Sequence, residues 1–375
     1  MRKPSPGARK DAKERVTPRP GILDIAPYVG GESELPGIAK PIKLASNESA
    51  LGPSPKAVAA FKEAAATLHR YPDGRHRRLR EAIAKRHGLP AAQIVCGNGS
   101  DELLTLLAKA YAGDGDEVLY TEHGFLLYPI VALAAGATPV AVPETNLRAA
   151  VAALLRRVTP RTRIVFLANP NNPTGSYIGK DEMRRLRAGL PENVLLVIDA
   201  AYAEFVTAPE YSDGAELVAE SDNVVMTRTF SKIYALSSLR LGWAFCPPAV
   251  ADVLNRVRGP FNINTPAQLA GVAAIEDVEL ENEARGHNTR WREWLAKELA
   301  SLGLTVYPSV TNFLLVRFAD DPHHNAVAAD RHLRAQGLIL RRVDNYGLAH
   351  CLRVTIGRED EMQALVAALR QFLRA

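Results

Sequence analysis

Cysteine is scarce in this sequence. The 375 residues include three cysteines, Cys96, Cys246 and Cys351, and these form no CxxC pair and no spacing typical of metal ligands. A sparse and odd number of cysteines argues against a disulfide framework and is typical of a reducing compartment. We therefore expect a cytoplasmic protein without a bound metal, in which the three thiols serve as small apolar side chains.

Long unbroken apolar runs are also missing. Residues 125–143 carry no charge and approach the length of a transmembrane helix, but they contain Pro129, Gly136, Pro139 and Pro143. Because proline and glycine interrupt a helix, the stretch predicts a short helix, a turn and a strand. We expect no membrane partner.

Positive charge in excess is confined to the beginning of the chain. The formal net charge is +5, and residues 1–20 alone hold seven Lys/Arg against two Asp/Glu, so the remainder is balanced. This segment is rich in proline, poor in large apolar side chains and without the apolar region of a secretory signal. It predicts a flexible basic leader, and since it contains no DNA-binding module we expect no nucleic-acid partner.

The rest of the chain has the composition of a globular protein, with 47% hydrophobic and 23% charged residues. From residue 91 onward, short β-branched runs alternate with helical patterns, which predicts an α/β fold with a mostly parallel sheet. After residue 260 the pattern changes to a long helix followed by short strands and helices. We expect a leader (1–20), an N-terminal arm (21–50), a large domain (51–259) and a smaller α+β domain (260–375).

Several of the predicted strands end at polar clusters, and such clusters converge at the carboxyl edge of a parallel sheet. Lys232 follows one strand, in the stretch TFSKIYALSSLRLGW. A buried lysine amine has a lowered pKa and can form a Schiff base, whereas a lysine at a strand-to-helix turn can also simply face solvent. On this stretch alone the two interpretations are equally good.

Three further clusters favour the chemical interpretation. Asp199 ends the apolar run VLLVID, where it either caps the next helix or pairs with the ring nitrogen of pyridoxal phosphate. Asn172 lies in a proline- and asparagine-rich turn and can donate to an oxygen on such a ring. The turn at Gly99, Ser100 and Asp101 begins a predicted helix, whose backbone amides suit a phosphate.

Four motifs now stand in order along the chain: NPNNPTG (169–175), DAAY (199–202), SK (231–232) and LRLGW (239–243). Together they resemble those of the fold type I pyridoxal-phosphate aminotransferases, and within these the chain is most similar to the histidinol-phosphate aminotransferases. The resemblance covers about residues 20–375. It implies a large domain with a mostly parallel seven-stranded sheet beside a smaller α+β domain.

The resemblance implies how the cofactor is held. Lys232 would carry pyridoxal phosphate as a Schiff base and move the proton, Asp199 would pair with the ring nitrogen, and Tyr202 would contact the ring oxygen with Asn172. Phe125 would stack on the ring, with Tyr128 as the alternative. The phosphate would be held by Gly99, Ser100, Asp101, Thr229, Ser231 and Arg240, and by Tyr71 of a second subunit, so that a homodimer shares its sites.

The resemblance also implies where the substrate lies. Arg353 would grip the carboxylate of an amino acid or a 2-oxo acid, and Arg341 would bind a substrate phosphate, with Arg342 equally basic and open as an alternative. The remaining expected pocket residues are Tyr28, Asn47 and Asn312. The implied reaction converts histidinol phosphate and 2-oxoglutarate to imidazole acetol phosphate and glutamate. An aromatic amino-acid aminotransferase and a phosphoamino-acid decarboxylase of the same fold remain alternatives.

Overall fold

The structure, a computed structural model, describes residues 16–374, so most of the expected basic leader lies outside the described residues. Two sheets organise the chain. Their strands, in chain order, are β1 (Ile42–Leu44), β2 (Ile94–Gly97), β3 (Glu117–Thr121), β4 (Thr138–Val142), β5 (Thr162–Ala168), β6 (Leu195–Asp199), β7 (Val224–Thr229), β8 (Gly242–Phe245), β9 (Thr305–Val306), β10 (Phe313–Arg317), β11 (Leu338–Arg342) and β12 (Cys351–Thr355).

Helices cover both faces of the larger sheet and one flank of the smaller one. They are α1 (Pro55–Ala64), α2 (Arg77–His87), α3 (Ser100–Tyr111), α4 (Leu127–Ala135), α5 (Val151–Arg157), α6 (Lys180–Gly189), α7 (Ala215–Glu220), α8 (Pro248–Val257), α9 (Thr265–Glu276), α10 (Val278–Ser301), α11 (Ala326–Ala335) and α12 (Glu359–Phe372).

The larger sheet has seven strands in the order β2-β8-β7-β6-β5-β3-β4. Strand β8 is antiparallel to both of its neighbours, and the other neighbouring pairs are parallel. Strands β6 and β7 are buried along their whole length, and β6 accordingly is apolar without alternation up to Asp199. The predicted mostly parallel seven-stranded sheet is confirmed.

The uncharged stretch 125–143 folds as its breakers predict. Pro129 lies in the first turn of α4, where a missing N–H costs no helix hydrogen bond, and Gly136 ends the helix with a left-handed φ of 91°. Strand β4 follows at once. Among residues 16–374, no helix combines the length and the apolar character that crossing a membrane requires.

The smaller sheet has five strands in the order β1-β11-β12-β10-β9. Strand β1 comes from the arm before the large domain and pairs in parallel with β11, so the chain enters the small domain before it builds the large one. Leu44 joins the small-domain core beside α10, α11 and α12. The arm is therefore structurally part of the smaller sheet.

The domain boundary expected at residue 259 differs from the packing. Helix α9 begins beyond that residue, with Asn264 accepting a hydrogen bond from the N–H of Ala267 at 2.8 Å. It packs against α1 and α2, and its residues Ala267, Ala270 and Ala274 join the core of the large domain. We propose that the boundary lies after α9, at the start of α10.

Candidate active site

A cavity of about 420 Å³ lies where the carboxyl edge of the larger sheet meets the arm and the smaller sheet. Strands β5, β6 and β7 are neighbours, so the polar segments that follow them are brought together there. Most of the predicted site residues line the cavity, namely Tyr28, Asn47, Ser100, Asp101, Phe125, Asn172, Asp199, Tyr202, Thr229, Ser231, Lys232, Arg240, Arg341 and Arg353.

Lys232 lies in the turn after β7 and is half-buried, with its amine directed into the cavity. Its Nζ donates to the carbonyl oxygen of Ser46 at 3.5 Å and lies 5.7 Å from the centre of the Tyr202 ring. Desolvation, aided by the charge of Arg353, lowers the pKa of Lys232 to about 8. An amine with this pKa is neutral far more often near pH 7 than an exposed lysine, so it is available as a nucleophile or base.

Asp199 ends β6 and is buried, with 5% of its surface exposed. Its Oδ2 accepts from the Tyr128 hydroxyl at 3.0 Å, and its Oδ1 accepts from Thr227 Oγ1 at 3.2 Å. Burial raises the pKa of this carboxyl to about 6, against the lowering effect of its hydrogen-bond donors. The carboxylate is therefore suited to pair with a positive group that enters the cavity.

Tyr202 and Asn47 meet across the cavity from two distant parts of the chain. Asn47 Nδ2 donates to the Tyr202 hydroxyl at 2.8 Å, and the Asn47 backbone N–H donates to Thr355 Oγ1 at 2.9 Å. Asn47 holds a left-handed φ of 55°, a conformation that asparagine tolerates better than most residues. Burial raises the pKa of Tyr202, so its hydroxyl stays protonated.

One end of the cavity is built to hold an anion. Arg240 donates through Nη1 to Ser231 Oγ at 3.3 Å and through Nη2 to Asp101 Oδ2 at 3.0 Å. Ser100 begins α3, so the free backbone N–H groups of that helix point to the same place. Thr229 Oγ1 accepts from the Ser231 N–H at 3.1 Å and so holds the turn in shape.

Gly99 does not itself line the cavity but allows this close approach. It has a left-handed φ of 84°, and a Cβ at this position would lie 2.6 Å from Arg240 Nη2. Gly242 at the start of β8 is pressed against the same turn, since its Cβ would lie 2.3 Å from the Ser100 nitrogen. Both positions therefore require glycine.

The opposite end carries two arginines. Arg353 on β12 is buried and donates to Asn172 Oδ1 and, at 2.7 Å, to the carbonyl oxygen of Ala45. Its Nε has no partner in the described part of the chain, and desolvation lowers the pKa of Arg353. Beyond these bonds each Nη keeps a second N–H, so the buried guanidinium has enough donors to bind a carboxylate bidentately.

Arg341, not Arg342, faces the cavity. Arg341 donates to the carbonyl oxygens of Gly30 and Val29 at 2.6 and 2.7 Å, which fixes the arm at the cavity wall. Arg342 alternates to the other side of β11 and pairs with Asp344. Tyr28, on the same arm, is half exposed and contacts Phe125 edge-on, with the ring centres 6.3 Å apart.

Phe125 is the aromatic ring at the cavity wall, and Tyr128 lies behind it. Phe125 contacts Tyr128 edge-on at 5.9 Å, and Tyr128 stacks parallel to Phe166 at 4.9 Å with full burial. The two rings considered from sequence therefore have different positions, and only Phe125 is placed to contact a ligand in the cavity.

Besides Gly99, two predicted residues do not line this cavity. Asn312 donates to the carbonyl oxygens of Asn47 at 3.0 Å and Glu48 at 3.3 Å, so it supports the arm from outside instead of contacting a substrate. Tyr71 is 83% exposed and stacks on Phe261, with ring centres 4.7 Å apart. Tyr71 therefore does not line the cavity of its own chain.

Sequence reasoning missed three residues here. Thr227 lies two residues before Thr229 on β7, so the strand alternation could have identified it as facing the same side. Ser46 contacts Lys232 through its carbonyl oxygen, which no side-chain pattern reveals. Glu48 lines the cavity and pairs with Lys43 at 3.0 Å, a contact set by the turn after β1.

The arrangement fits pyridoxal phosphate on chemical grounds. The pocket of Arg240, Ser231 and the α3 amino terminus suits its phosphate, the buried Asp199 suits its ring nitrogen, and Lys232 supplies the amine for its aldehyde. These groups lie in one cavity and face one another, which a structural ion pair or a surface lysine does not require. The residues present therefore fit the cofactor.

Comparison with known proteins agrees with this chemistry. Residues 39–369 match the family "Aminotransferase class I and II". The histidinol-phosphate aminotransferases of Paramagnetospirillum magneticum and Rhodospirillum centenum are each 59% identical, covering 96% and 95% of this chain and 99% and 98% of those proteins.

Solved structures give the same result. The crystal structure of histidinol-phosphate aminotransferase from Sinorhizobium meliloti in complex with pyridoxal 5'-phosphate is 28% identical with a TM-score of 0.86, and the match covers 97% of this chain and 99% of that one. With a family match along most of its length and relatives this similar over nearly their whole sequence, the chain belongs to the aminotransferase class I and II family.

Proposed function

We propose that this aminotransferase uses pyridoxal phosphate to transfer the amino group of histidinol phosphate to 2-oxoglutarate, giving imidazole acetol phosphate and glutamate by a ping-pong mechanism. The proposal rests on one cavity that brings these groups together. The Lys232 amine points into it, the Asp199 carboxylate and Arg240 lie on the proposed cofactor side, and Arg341 and Arg353 lie on the proposed substrate side. The 59% identity to named histidinol-phosphate aminotransferases supports the substrate.

The protein's part in the reaction begins with holding the cofactor. Arg240, Ser231, Thr229 and the α3 amino terminus would bind its phosphate, and Phe125 would pack against its ring. Asn172 and Tyr202, which line the same cavity, would donate to the ring oxygen. When bound, pyridoxal phosphate supplies an electron sink that stabilises negative charge at the substrate α-carbon.

Asp199 would pair with the ring nitrogen, and an ionised carboxylate at that place would favour the protonated ring, which is the better electron sink. Lys232 is the group that moves the proton. Its lowered pKa, about 8, leaves a usable fraction of neutral amine near neutral pH, and that amine would accept the proton from the substrate α-carbon and deliver it to the cofactor carbon that carried the aldehyde.

The substrate side has to accept two different ligands in turn. Arg353 suits the α-carboxylate of 2-oxoglutarate or glutamate, since its buried guanidinium presents a fork of donors. Histidinol phosphate has no carboxylate but carries a phosphate, for which Arg341 and Tyr28 lie at the mouth of the same cavity. Two cationic groups thus match the anionic group of each substrate.

We infer that the active unit is a homodimer. Tyr71 and Phe261 form a stacked pair that is 83% and 44% exposed, and Phe61 and Leu68, a few residues earlier in the chain than Tyr71, are 43% and 68% exposed. Apolar surface of this kind is typical of a protein interface. A second copy packed there would cover it and bring Tyr71 to the phosphate end of the neighbouring site.

Steady-state turnover tests the substrate. With 2-oxoglutarate as acceptor, kcat/KM for histidinol phosphate should exceed that for phenylalanine by roughly 100-fold, because one or two charge-assisted hydrogen bonds to the phosphate are lost with phenylalanine. Higher turnover of phenylalanine would make the protein an aromatic amino-acid aminotransferase. Release of carbon dioxide without consumption of a 2-oxo acid would make it a decarboxylase.

A further inference from the structure

Tyr128 is a buried tyrosine that does not line the active-site cavity but donates a hydrogen bond to Asp199, which does. Its ring is fully buried, stacked parallel to Phe166 at 4.9 Å with an interplanar angle of 8°, and it touches Phe125 edge-on at 5.9 Å. A third ring, that of Tyr120, lies 6.3 Å away. These three rings restrain that of Tyr128, whose hydroxyl lies within hydrogen-bond distance of Asp199.

The hydroxyl donates to Asp199 Oδ2 at 3.0 Å, while Thr227 Oγ1 donates to Oδ1 at 3.2 Å. An ionised carboxylate can accept about four hydrogen bonds, so both oxygens keep capacity for a ligand. Because each donor is fixed on a different element, α4 for Tyr128 and β7 for Thr227, the plane of the carboxylate is fixed as well.

The donors also influence the charge of Asp199. Burial in an apolar environment favours the neutral acid, and hydrogen bonds donated to the carboxylate favour the anion. A neutral Asp199 could not hold a proton on a neighbouring ring nitrogen. The Tyr128 hydroxyl is thus one of the few groups that oppose the effect of burial on this carboxylate.

We propose that Tyr128 is a positioning residue for the cofactor: its hydroxyl keeps Asp199 ionised and oriented toward the ring nitrogen, and its ring supports Phe125 against the cofactor face. This inference rests on the proposed binding of pyridoxal phosphate, and it assigns Tyr128 no contact with the cofactor or the substrate. Tyr128 acts through Asp199.

The test replaces only the hydroxyl. Tyr128→Phe keeps the ring beside Phe166, and Tyr120→Phe is the matched control, since it removes a hydroxyl from the adjacent ring without altering the hydrogen bonds of Asp199. The affinity of each apoprotein for pyridoxal phosphate is measured from the absorbance of the bound cofactor. Tyr128→Phe should bind it about 10-fold more weakly, as expected for the loss of one hydrogen bond to a charged group, and Tyr120→Phe should match the wild type.

A double-mutant cycle separates this role from simple packing. In an Asp199→Asn background the carboxylate is gone, so adding Tyr128→Phe should change cofactor affinity by less than about 2-fold. The single variant should also lower kcat for histidinol phosphate with little change in KM, since the substrate contacts are untouched.

Three results would overturn the proposal. They are wild-type affinity in Tyr128→Phe, an equal loss of affinity in both backgrounds, and an equal loss in Tyr120→Phe. The proposed function is tested separately by the wild type: if wild-type protein binds no pyridoxal phosphate, that function and the role of Tyr128 both fail. If the wild type binds it and Tyr128→Phe binds it equally well, only the role of Tyr128 fails.

Discussion

At the scale of single residues, the site depends on charged groups that the fold holds away from bulk water. Lys232 is half-buried, Asp199 and Arg353 are 5% exposed, and each has a shifted pKa because desolvation disfavours its charged form. These charges cost stability in the empty site and become useful when oppositely charged ligand groups enter. Such groups are typical of catalytic sites.

The pKa of Lys232 predicts how the stability of the apoprotein depends on pH. Its folded value, about 8, lies below the ordinary value of 10.5, so between these values the unfolded chain binds more protons than the folded one. The wild type therefore gains stability as pH rises from about 8 to about 10.5, and Lys232→Met lacks this gain. Without cofactor, the variant should be the more stable protein near pH 7, and its advantage should shrink as the pH rises through this window.

Urea unfolding of both apoproteins across this pH range measures the difference. An advantage of Lys232→Met that does not change with pH would contradict the assigned pKa shift. The same variant should show no transamination of histidinol phosphate, because the amine that moves the proton is missing.

A second residue-scale prediction concerns Arg341 and its neighbour. Arg341→Gln should lower kcat/KM for histidinol phosphate by about 10- to 100-fold, the effect of losing a charge-assisted contact to its phosphate. The matched control is Arg342→Gln, which removes the same charge from a side chain paired with Asp344 outside the cavity. Equal losses in the two variants would remove Arg341 from the substrate site.

At the scale of secondary-structure elements, the phosphate end depends on how closely β8 approaches the start of α3. The Cβ of an alanine at position 242 would lie 2.3 Å from the Ser100 nitrogen and 2.6 Å from the Gly99 carbonyl carbon. Both are backbone atoms, so the strand or the helix must shift. The first residues of α3 form the proposed phosphate site. A change in how β8 packs against them should therefore also change cofactor binding.

Gly242→Ala should therefore destabilise the protein by about 1–3 kcal/mol and weaken cofactor binding as well. Gly286→Ala is the control, since position 286 lies in α10 with no atom within 4 Å of the added Cβ, and it should stabilise the protein by about 0.5–1 kcal/mol. Thermal unfolding and cofactor titration measure the two effects. Tight cofactor binding by Gly242→Ala would mean that the two elements do not depend on each other.

Elements and motifs were predictable to different extents. The buried strands β5 to β8 and the polar residues that follow them were readable from sequence, because a short apolar run that ends in a polar cluster is typical of a strand buried in a parallel sheet. The position of Asn312 could not be predicted from the sequence. Its contacts with Asn47 and Glu48 join residues more than 260 positions apart. The same holds for helix α9, whose small residues carry no signal of the core they join.

At the scale of the whole molecule, each site combines the two domains and the arm. Arg341 and Arg353 come from the small sheet, Lys232 and Asp199 from the large one, and residues 28–31 of the arm lie between them. The proposed homodimer adds a further part, since Tyr71 lies at an exposed surface of its own chain. Sequence could suggest this only through the family resemblance.

Mixing two inactive variants tests the shared site. Tyr71→Ala and Lys232→Ala should each be poorly active, whereas a mixed dimer has one site with Lys232 from one chain and Tyr71 from the other. After random reassociation, about one quarter of the sites should recover wild-type turnover. If mixing restores no activity although the subunits exchange, Tyr71 does not serve the neighbouring site.

The proposed reaction is tested most directly by its first half alone. Histidinol phosphate is added to the cofactor-loaded protein without a 2-oxo acid, and the visible absorbance is followed before and after addition of 2-oxoglutarate. A ping-pong aminotransferase should lose the visible band of the Lys232-bound cofactor within one turnover, release one equivalent of imidazole acetol phosphate, and regain the band with 2-oxoglutarate. A band that histidinol phosphate leaves unchanged, or that returns without a 2-oxo acid, would contradict the reaction proposed for this site.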